Sequence, residues 1–240
     1  MGTRCGAKRT GVGKQGAGVG ETTATVYLVA SLGAMKRSVW LVDRDLQGNA
    51  TRGDGIDKRA LTHTVDQVLL GEKKITDVRL MSPSGAFDLV PANRELAGAE
   101  VELVDLPERE MRLKDALAEA LSQMRTAISE VVGAYDFILL DCPPSLSLLT
   151  LNGLCAADSV LIPMQCEYYA LEGLSDLVQT LRRVRAHLNP PFEIEGLPRT
   201  VFEPRNPVAP HVPPDRPDPF DDKPYPAALP PHPRAAHTPR

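Results

Sequence analysis

The sequence predicts an α/β fold in which a mostly parallel sheet carries helices on both faces, and two observations support it. Short apolar runs of strand length alternate along the chain with longer stretches that have the apolar spacing of helices. Two of those runs, residues 39–42 and 137–140, are followed directly by Asp43 and Asp141. Ligands of parallel sheets bind at the carboxyl ends of the strands, so these acids mark the edge where a site is expected.

The predicted elements occupy most of the chain between residues 22 and 188. The apolar runs at 87–90 and 159–162 are each closed by a proline, which cannot donate to a sheet. Helices are predicted where apolar residues recur every three or four positions. The predicted strands are residues 39–42, 87–90, 137–141 and 159–162, and the predicted helices are residues 22–35, 112–132 and 168–188.

Composition excludes several classes of protein. The chain has 240 residues, 42% of them hydrophobic, which is enough for a packed core. Its net charge of -4 gives no strong attraction to nucleic acid over the whole molecule. No apolar run has the length of a membrane span. The four cysteines lack metal-binding spacing, so we expect reduced thiols in a cytoplasmic protein.

The two ends of the chain differ from its middle. Residues 1–15 are polar and rich in glycine, and we expect an irregular segment there. Of the 22 prolines, 13 lie in the last 40 residues, and such a sequence neither continues a helix nor completes a sheet. We therefore predict one domain at residues 16–206 and a disordered, proline-rich tail at residues 207–240.

A glycine-rich loop precedes the first predicted helix. Its glycines let backbone N–H groups approach a phosphate at the helix N-terminus, although a flexible turn without a ligand has the same composition. Thr22 supplies the hydroxyl that binds magnesium in such loops, whereas Glu21 stands where they carry a lysine. The segment consists of Gly16, Ala17, Gly18, Val19, Gly20, Glu21, Thr22 and Thr23.

The aspartates at the strand ends strengthen the interpretation as a nucleotide site. Asp141 is the candidate for holding the magnesium shell, and Asp43 or Asp45 is the candidate for positioning an attacking water. Taken alone, each aspartate is more often a helix cap or a loop residue. Their combination with the glycine loop indicates phosphate chemistry.

Four further segments carry a specific resemblance. Residues 41–50 contain D-x-D-x-Q-G-N-A, residues 87–102 contain P-A-N-x-x-L-A-G-A-E, residues 135–151 contain D-C-P-P-S, and residues 157–174 read ADSVLIPMQCEYYALEGL. In this order they resemble the ParA/Soj family of chromosome- and plasmid-partition ATPases, over residues 17–206. Leu46 replaces a proline of the family's pattern.

The resemblance implies a P-loop NTPase-like fold and a nucleotide-driven switch. ATP-bound monomers would form a homodimer, with ATP and Mg²⁺ as cofactors. Non-specific DNA and a ParB-type centromere-binding protein would be the partners, with no membrane association. The location implied is cytoplasmic and nucleoid-associated.

The same resemblance assigns roles to individual residues. Residues 16–23 would bind the phosphates, and Asn152 would lie near the nucleotide. Thr22 and Asp141 would hold the metal, and Asp45 would help to position the hydrolytic water. Arg205 matches a DNA-contacting arginine of the family, but it is equally explained as an ordinary surface residue.

The basic run Arg182, Arg183 and Arg185 has two explanations. Positive side chains at the end of a helix complement the helix dipole. The same side chains are also suited to contact phosphates of nucleic acid. The sequence leaves both open.

Two departures from the family pattern affect the expected activity. The family's loop reads K-G-G-V-G-K-T-T, and Gly16 and Glu21 replace its two lysines. Exchanging lysine for glutamate beside a polyanion changes the local charge by two units, so we expect very weak ATP binding and almost no hydrolysis. The proline-rich tail also stands where the family has further elements, so we expect the C-terminal part of the domain to be missing.

Two functions therefore remain open. One is a ParA/Soj-type partitioning ATPase, a nucleotide-switched dimer with an impaired ATP site. The other is a non-catalytic remnant or interaction module without ATP turnover, the product of a decayed or frame-shifted gene. A MinD-like membrane-cycling ATPase is a third candidate, but it needs a C-terminal amphipathic helix that a proline-rich tail does not form.

Overall fold

The computed structural model describes residues 7–12, 21–84, 87–127, 135–143, 145, 147–165, 170–196 and 199–200. The strands are β1 (Lys8–Val12), β2 (Val39–Asp43), β3 (Leu80–Met81), β4 (Asp88–Val90), β5 (Phe137–Asp141), β6 (Ser159–Leu161), β7 (Met164–Gln165), β8 (Glu193–Gly196) and β9 (Arg199–Thr200). The helices are α1 (Glu21–Ala34), α2 (Asn49–Gly53), α3 (Val65–Leu70), α4 (Ile75–Val78), α5 (Leu96–Leu103), α6 (Arg112–Ala127), α7 (Leu148–Ala156) and α8 (Ala170–His187).

Seven of the described strands form one sheet with the order β3-β4-β2-β5-β1-β6-β8. Every neighbouring pair in it is parallel except β3 with β4. Strand β2 is buried along its whole length, and β5 is buried after its first residue, as expected for central strands covered on both sides. The predicted α/β fold with a mostly parallel sheet is confirmed.

The apolar core lies on both faces of this sheet. Successive side chains of a strand point to opposite faces, so β2 and β5 each contribute to two clusters. Trp40 and Leu140 belong to the larger cluster, and Leu41 and Leu139 belong to the smaller one beside α1. Within the described ranges, no helix is long and apolar enough to cross a bilayer.

The elements predicted within residues 22–188 occur with small shifts at their ends. The predicted strand at 87–90 begins one residue later, as β4, and the predicted helix at 22–35 is α1. The predicted helix at 112–132 begins at Arg112 and is described as far as Ala127; its last residues lie outside the described ranges.

The N-terminal segment corrects one expectation. Residues 8–12, expected to be irregular, form β1 between β5 and β6. The Lys8 Nζ donates to the Glu195 carboxylate on β8. Arg9 donates to Asp158 through Nη2 at 2.5 Å and through Nε at 3.3 Å. A polar sequence can occupy a central strand here because carboxylates beside it pair with its cations.

We expect Glu195→Ala to lower the free energy of unfolding by about 1–2 kcal/mol. The substitution removes the partner of Lys8 and the acceptor of the Ser159 hydroxyl, which lies 2.7 Å from Oε2. Solvent weakens the ion pair, because the side chains of Lys8 and Glu195 are 38% and 23% exposed. The control is Glu193→Ala at an exposed position of the same strand, and equal losses in both variants, measured by urea unfolding, would contradict this role.

Candidate functional site

Strands β2 and β5 place two carboxylates side by side. Asp43 and Asp141 are register partners at the carboxyl ends of these strands, and neither has any exposed surface. Asp45, two residues beyond β2, is 8% exposed. The acids that the sequence placed at one edge of the sheet therefore lie together at the edge where parallel α/β folds bind ligands.

Two threonines of α1 hold Asp141. The Thr25 Oγ1 donates to Oδ1 at 2.9 Å, and the Thr22 Oγ1 donates to Oδ2 at 3.2 Å. The threonines are three positions apart, so they lie on one side of the helix, one turn from each other. Thr25 is fully buried, and the sequence analysis missed it, although its spacing from Thr22 is visible in the sequence.

The chain after β2 is folded around Asp43 and Asp45. Asp43 accepts hydrogen bonds from the Asp45 backbone N at 3.0 Å and from the backbone N and Oγ1 of Thr51 at 2.7 and 2.6 Å. Asp45 accepts from the backbone N of Gln47 at 3.0 Å and from the Asn49 Nδ2 at 2.6 Å. Asp43 is enclosed and shapes the loop, so Asp45 is the better placed of the two to contact a water.

Burial raises the pKa of both paired carboxyl groups. Desolvation raises the pKa of Asp43 to about 6, although hydrogen bonds from Thr51 act in the opposite direction. Desolvation and then the charge of Asp43 raise the pKa of Asp141 well above its ordinary value. A divalent cation would relieve this repulsion. Among the described residues, no three His, Cys, Asp or Glu side chains form a metal cage.

We expect Asp141→Asn to stabilise the metal-free protein at pH 7 and to lose this advantage as the pH falls towards 4. A carboxyl whose folded pKa is raised destabilises the fold above its unfolded pKa, near 3.9, and the full penalty is reached once the pH exceeds the folded pKa. For Asp43 the penalty is complete once the pH exceeds its folded pKa of about 6. Removing the charge of Asp141 also removes its repulsion of the Asp43 carboxylate. Urea unfolding in EDTA at pH 4, 5, 6 and 7 measures the change.

The matched control for this series is Asp105→Asn at an exposed position, which should leave the unfolding free energy nearly unchanged at each pH. A stabilisation by Asp141→Asn that has the same size at pH 4 and pH 7 would show that charge repulsion is not its cause.

Arg44 lies between the two loop aspartates and is fully buried. Its Nη1 donates to the carbonyl oxygen of Leu149 and its Nη2 to the Sγ of Cys142, both at 2.6 Å. Its Nε has no hydrogen-bond partner in the part of the chain that the structure describes. A Cβ added to Gly153 would lie 1.9 Å from Nη2. The guanidinium therefore packs directly against the backbone of α7, a contact that the sequence analysis did not foresee.

Asn152 has a structural role that the sequence analysis did not assign. It is fully buried in α7. Its Nδ2 donates to the carbonyl oxygens of Arg109 at 2.7 Å and Leu148 at 3.1 Å, and its Oδ1 accepts from the backbone N of Leu113 at 3.2 Å. These bonds tie α7 to the start of α6. Its polar atoms are used within the fold, and its place near the nucleotide stays a prediction.

Several predicted residues lie outside the described part of the chain. These are the loop residues 16–20 and Arg205. Glu21 is the first residue of α1, and only its backbone is described. Thr23 is exposed in the first turn of the same helix.

Comparison with known proteins identifies the family. Residues 7–194 match a family model described as an AAA domain. The chain is 44% identical to the sporulation initiation inhibitor protein Soj of Bacillus subtilis, over 94% of this chain and 85% of that protein. This chain belongs to the ParA/Soj family. It is also 46% identical to the chromosome partitioning protein ParA of Myxococcus xanthus, over 84% of this chain and 67% of that protein.

A solved structure supports the same fold for this ParA/Soj family member. The cobyrinic acid a,c-diamide synthase of Mycobacterium smegmatis, with bound ADP and magnesium, aligns with a TM-score of 0.77 and 35% identity. The alignment covers 85% of this chain and 78% of that one. The resemblance carried by residues 41–50, 87–102, 135–151 and 157–174 is thus confirmed.

Proposed function

We propose that this chain is a ParA/Soj-type partitioning protein in which the magnesium side of the nucleotide site is preserved and the phosphate side is impaired. The observation that carries the proposal is the arrangement around Asp141. Its two oxygens accept from Thr22 and Thr25, and its register partner is the buried Asp43. Oxygen atoms that can serve as metal ligands are therefore held in place at this edge of the sheet, although both loop lysines are replaced.

The preserved side fits Mg²⁺ in its chemistry. Magnesium is bound in such sites by one or two protein oxygens together with phosphates and waters, and Thr22 and Asp141 offer those oxygens. The metal would neutralise phosphate charge when bound. Asp45 would orient the attacking water. The M. smegmatis synthase, solved with ADP and magnesium on the same fold, supports ATP and Mg²⁺ as the ligands.

The impaired side is the start of α1. A helix N-terminus attracts anions through its free backbone N–H groups. Glu21 is the first residue of α1, so the sequence has an acidic residue at this helix N-terminus where the family has a lysine. Gly16 provides no cation to offset it. Repulsion between Glu21 and the phosphates therefore opposes the attraction of the N-terminus.

The partners follow from the family. We propose an ATP-dependent homodimer, non-specific DNA as the substrate surface with Arg205 as a contact, and a ParB-type protein as the trigger of release. The proposed location is the nucleoid of the cytoplasm. With a weak nucleotide site, the switch between the DNA-bound and free states would be rarely used.

The test is binding of a fluorescent ATP analogue with Mg²⁺ to the full chain, together with DNA co-sedimentation. We expect no saturation below about 1 mM nucleotide, where the binding free energy is only about -4 kcal/mol. Because the DNA-binding dimer is proposed to depend on ATP, we also expect little DNA binding by the natural chain below that nucleotide concentration. Micromolar ATP binding with ATP-dependent dimerisation would show that the site is intact.

The non-catalytic alternative is favoured by the replacement of both loop lysines. It predicts that DNA is not bound with or without nucleotide, and that restoring the two loop lysines does not restore DNA binding. The two functions therefore differ in the response to Gly16→Lys with Glu21→Lys: ATP-dependent DNA binding should appear if the chain is a partitioning protein and should not appear if it is a non-catalytic remnant.

A further inference from the structure

A groove of about 380 Å³ lies between helices α7 and α8, apart from the carboxylate cluster; we call it the α7–α8 groove. Its apolar lining includes Leu151 and Val184, and Val184 is buried. Arg183 and His187, exposed and one turn apart on α8, form part of its rim. None of the lining residues belongs to the candidate nucleotide site.

The polar part of this groove is suited to carboxylates. The Ser147 hydroxyl is buried, caps no backbone N–H of α7 and has no hydrogen-bond partner among the described residues. The first turn of α7 contains no acidic residue, so its N-terminus keeps its attraction for an anion. Neither Arg183 nor His187 forms an ion pair with another described residue. The groove therefore fits an apolar side chain flanked by acids.

The chain itself contains such a segment. Residues 215–222 read DRPDPFDD, in which Phe220 is flanked by Asp218, Asp221 and Asp222. Each of the two prolines in this segment fixes its own φ, which lowers the entropy lost on binding. An aromatic ring with carboxylates on both sides matches the apolar lining and the basic rim.

The segment is long enough to reach the groove. Residue 215 lies 15 positions beyond Thr200, the last residue of β9. Fifteen extended residues span about 50 Å. A compact domain of about 200 residues is roughly 40 Å across, so the groove is within reach of the segment.

We propose that Phe220 and its flanking aspartates dock in the α7–α8 groove of the same chain. The ring occupies the apolar lining, and the carboxylates meet Arg183, His187 and the N-terminus of α7. The docked segment neutralises the basic end of α8. It thereby competes with any polyanion for the arginines there, which is a form of autoinhibition beyond the nucleotide site.

The test uses the full chain with Phe220→p-benzoyl-L-phenylalanine, a photo-crosslinking residue. We expect cross-links, located by mass spectrometry, to α7 and α8 within the same chain. Arg183→Glu should lower their yield roughly tenfold, equivalent to about 1.4 kcal/mol. The matched control is Arg185→Glu, an exposed residue two positions away that does not line the cavity, and it should leave the yield unchanged.

A second variant avoids any effect on folding of the domain. Asp221→Arg with Asp222→Arg alters only the tail and should lower the cross-link yield as Arg183→Glu does. Combining both with Arg183→Glu reverses the charges on the two sides and should recover the yield. Cross-links outside α7 and α8 would overturn the proposal. An equal loss of cross-link yield in Arg183→Glu and Arg185→Glu would also overturn it. Cross-links found only between chains would also overturn it and would make the groove an interface between copies.

Discussion

Replacing Gly16 and Glu21 together by lysine is expected to raise the affinity for ATP–Mg²⁺ at least about a hundredfold. The double variant removes a carboxylate and adds two ammonium groups beside the triphosphate. One charge pair at about 4 Å is worth roughly 4 kcal/mol at an effective dielectric constant of 20, and each 1.4 kcal/mol is about a tenfold change. Titration with a fluorescent ATP analogue, in the presence and absence of Mg²⁺, measures the gain.

Two controls make this result specific. Glu72→Lys changes the net charge at an exposed turn away from the site and should leave the affinity unchanged. Adding Asp141→Asn to the double-lysine variant should remove most of the dependence on Mg²⁺, because Asp141 is the proposed metal-side carboxylate. If the double-lysine variant binds ATP no better than the natural chain, residues 16–23 are not the phosphate site.

Gly153→Ala is expected to destabilise the fold by about 3 kcal/mol, a large effect for the addition of one methyl group. The new Cβ would lie 1.9 Å from Arg44 Nη2, so the fully buried guanidinium would have to move and lose its hydrogen bonds to Leu149 and Cys142. Arg44→Leu alone should be close to neutral, because two effects offset each other. It removes a buried cation that has no carboxylate partner among the described residues, but it also leaves the Leu149 carbonyl without its donor. Urea unfolding measures each variant.

The double variant decides the cause. With Arg44→Leu present, Gly153→Ala should cost less than about 1 kcal/mol, because the obstruction is gone and alanine favours a helix. Gly98→Ala, in helix α5 with nothing within 4 Å of the added Cβ, is the matched control and should stabilise by about 0.5–1 kcal/mol. The same loss for Gly153→Ala with and without Arg44 would exclude the steric explanation.

The sequence predicted the features that depend on local pattern. Strand β5 is an apolar run ending in an acid, and the apolar spacing of α6 is helical, so both were predictable from neighbouring residues. The position of Asp43 beside Asp141 also follows from local signals, because the carboxyl ends of parallel strands meet at one edge.

The features that escaped prediction depend on partners distant in the chain. Strand β1 looks irregular by itself because the acids that pair with it lie about 150 residues or more further along. Asn152 belongs to a family pattern, but only the fold shows that its amide is used to join α7 to α6. An arginine between two aspartates in a loop is expected at the surface, but helix α7 packs against Arg44 and buries it.

The charged start of β1 has a consequence for building chimeras. Grafting an apolar strand in place of β1 would leave Glu195 and Asp158 without the cations that now bind them. Two half-buried carboxylates would then face an apolar neighbour, which is unfavourable. A successful transplant must therefore exchange three separate stretches at once: the first strand, the turn before β6, and β8.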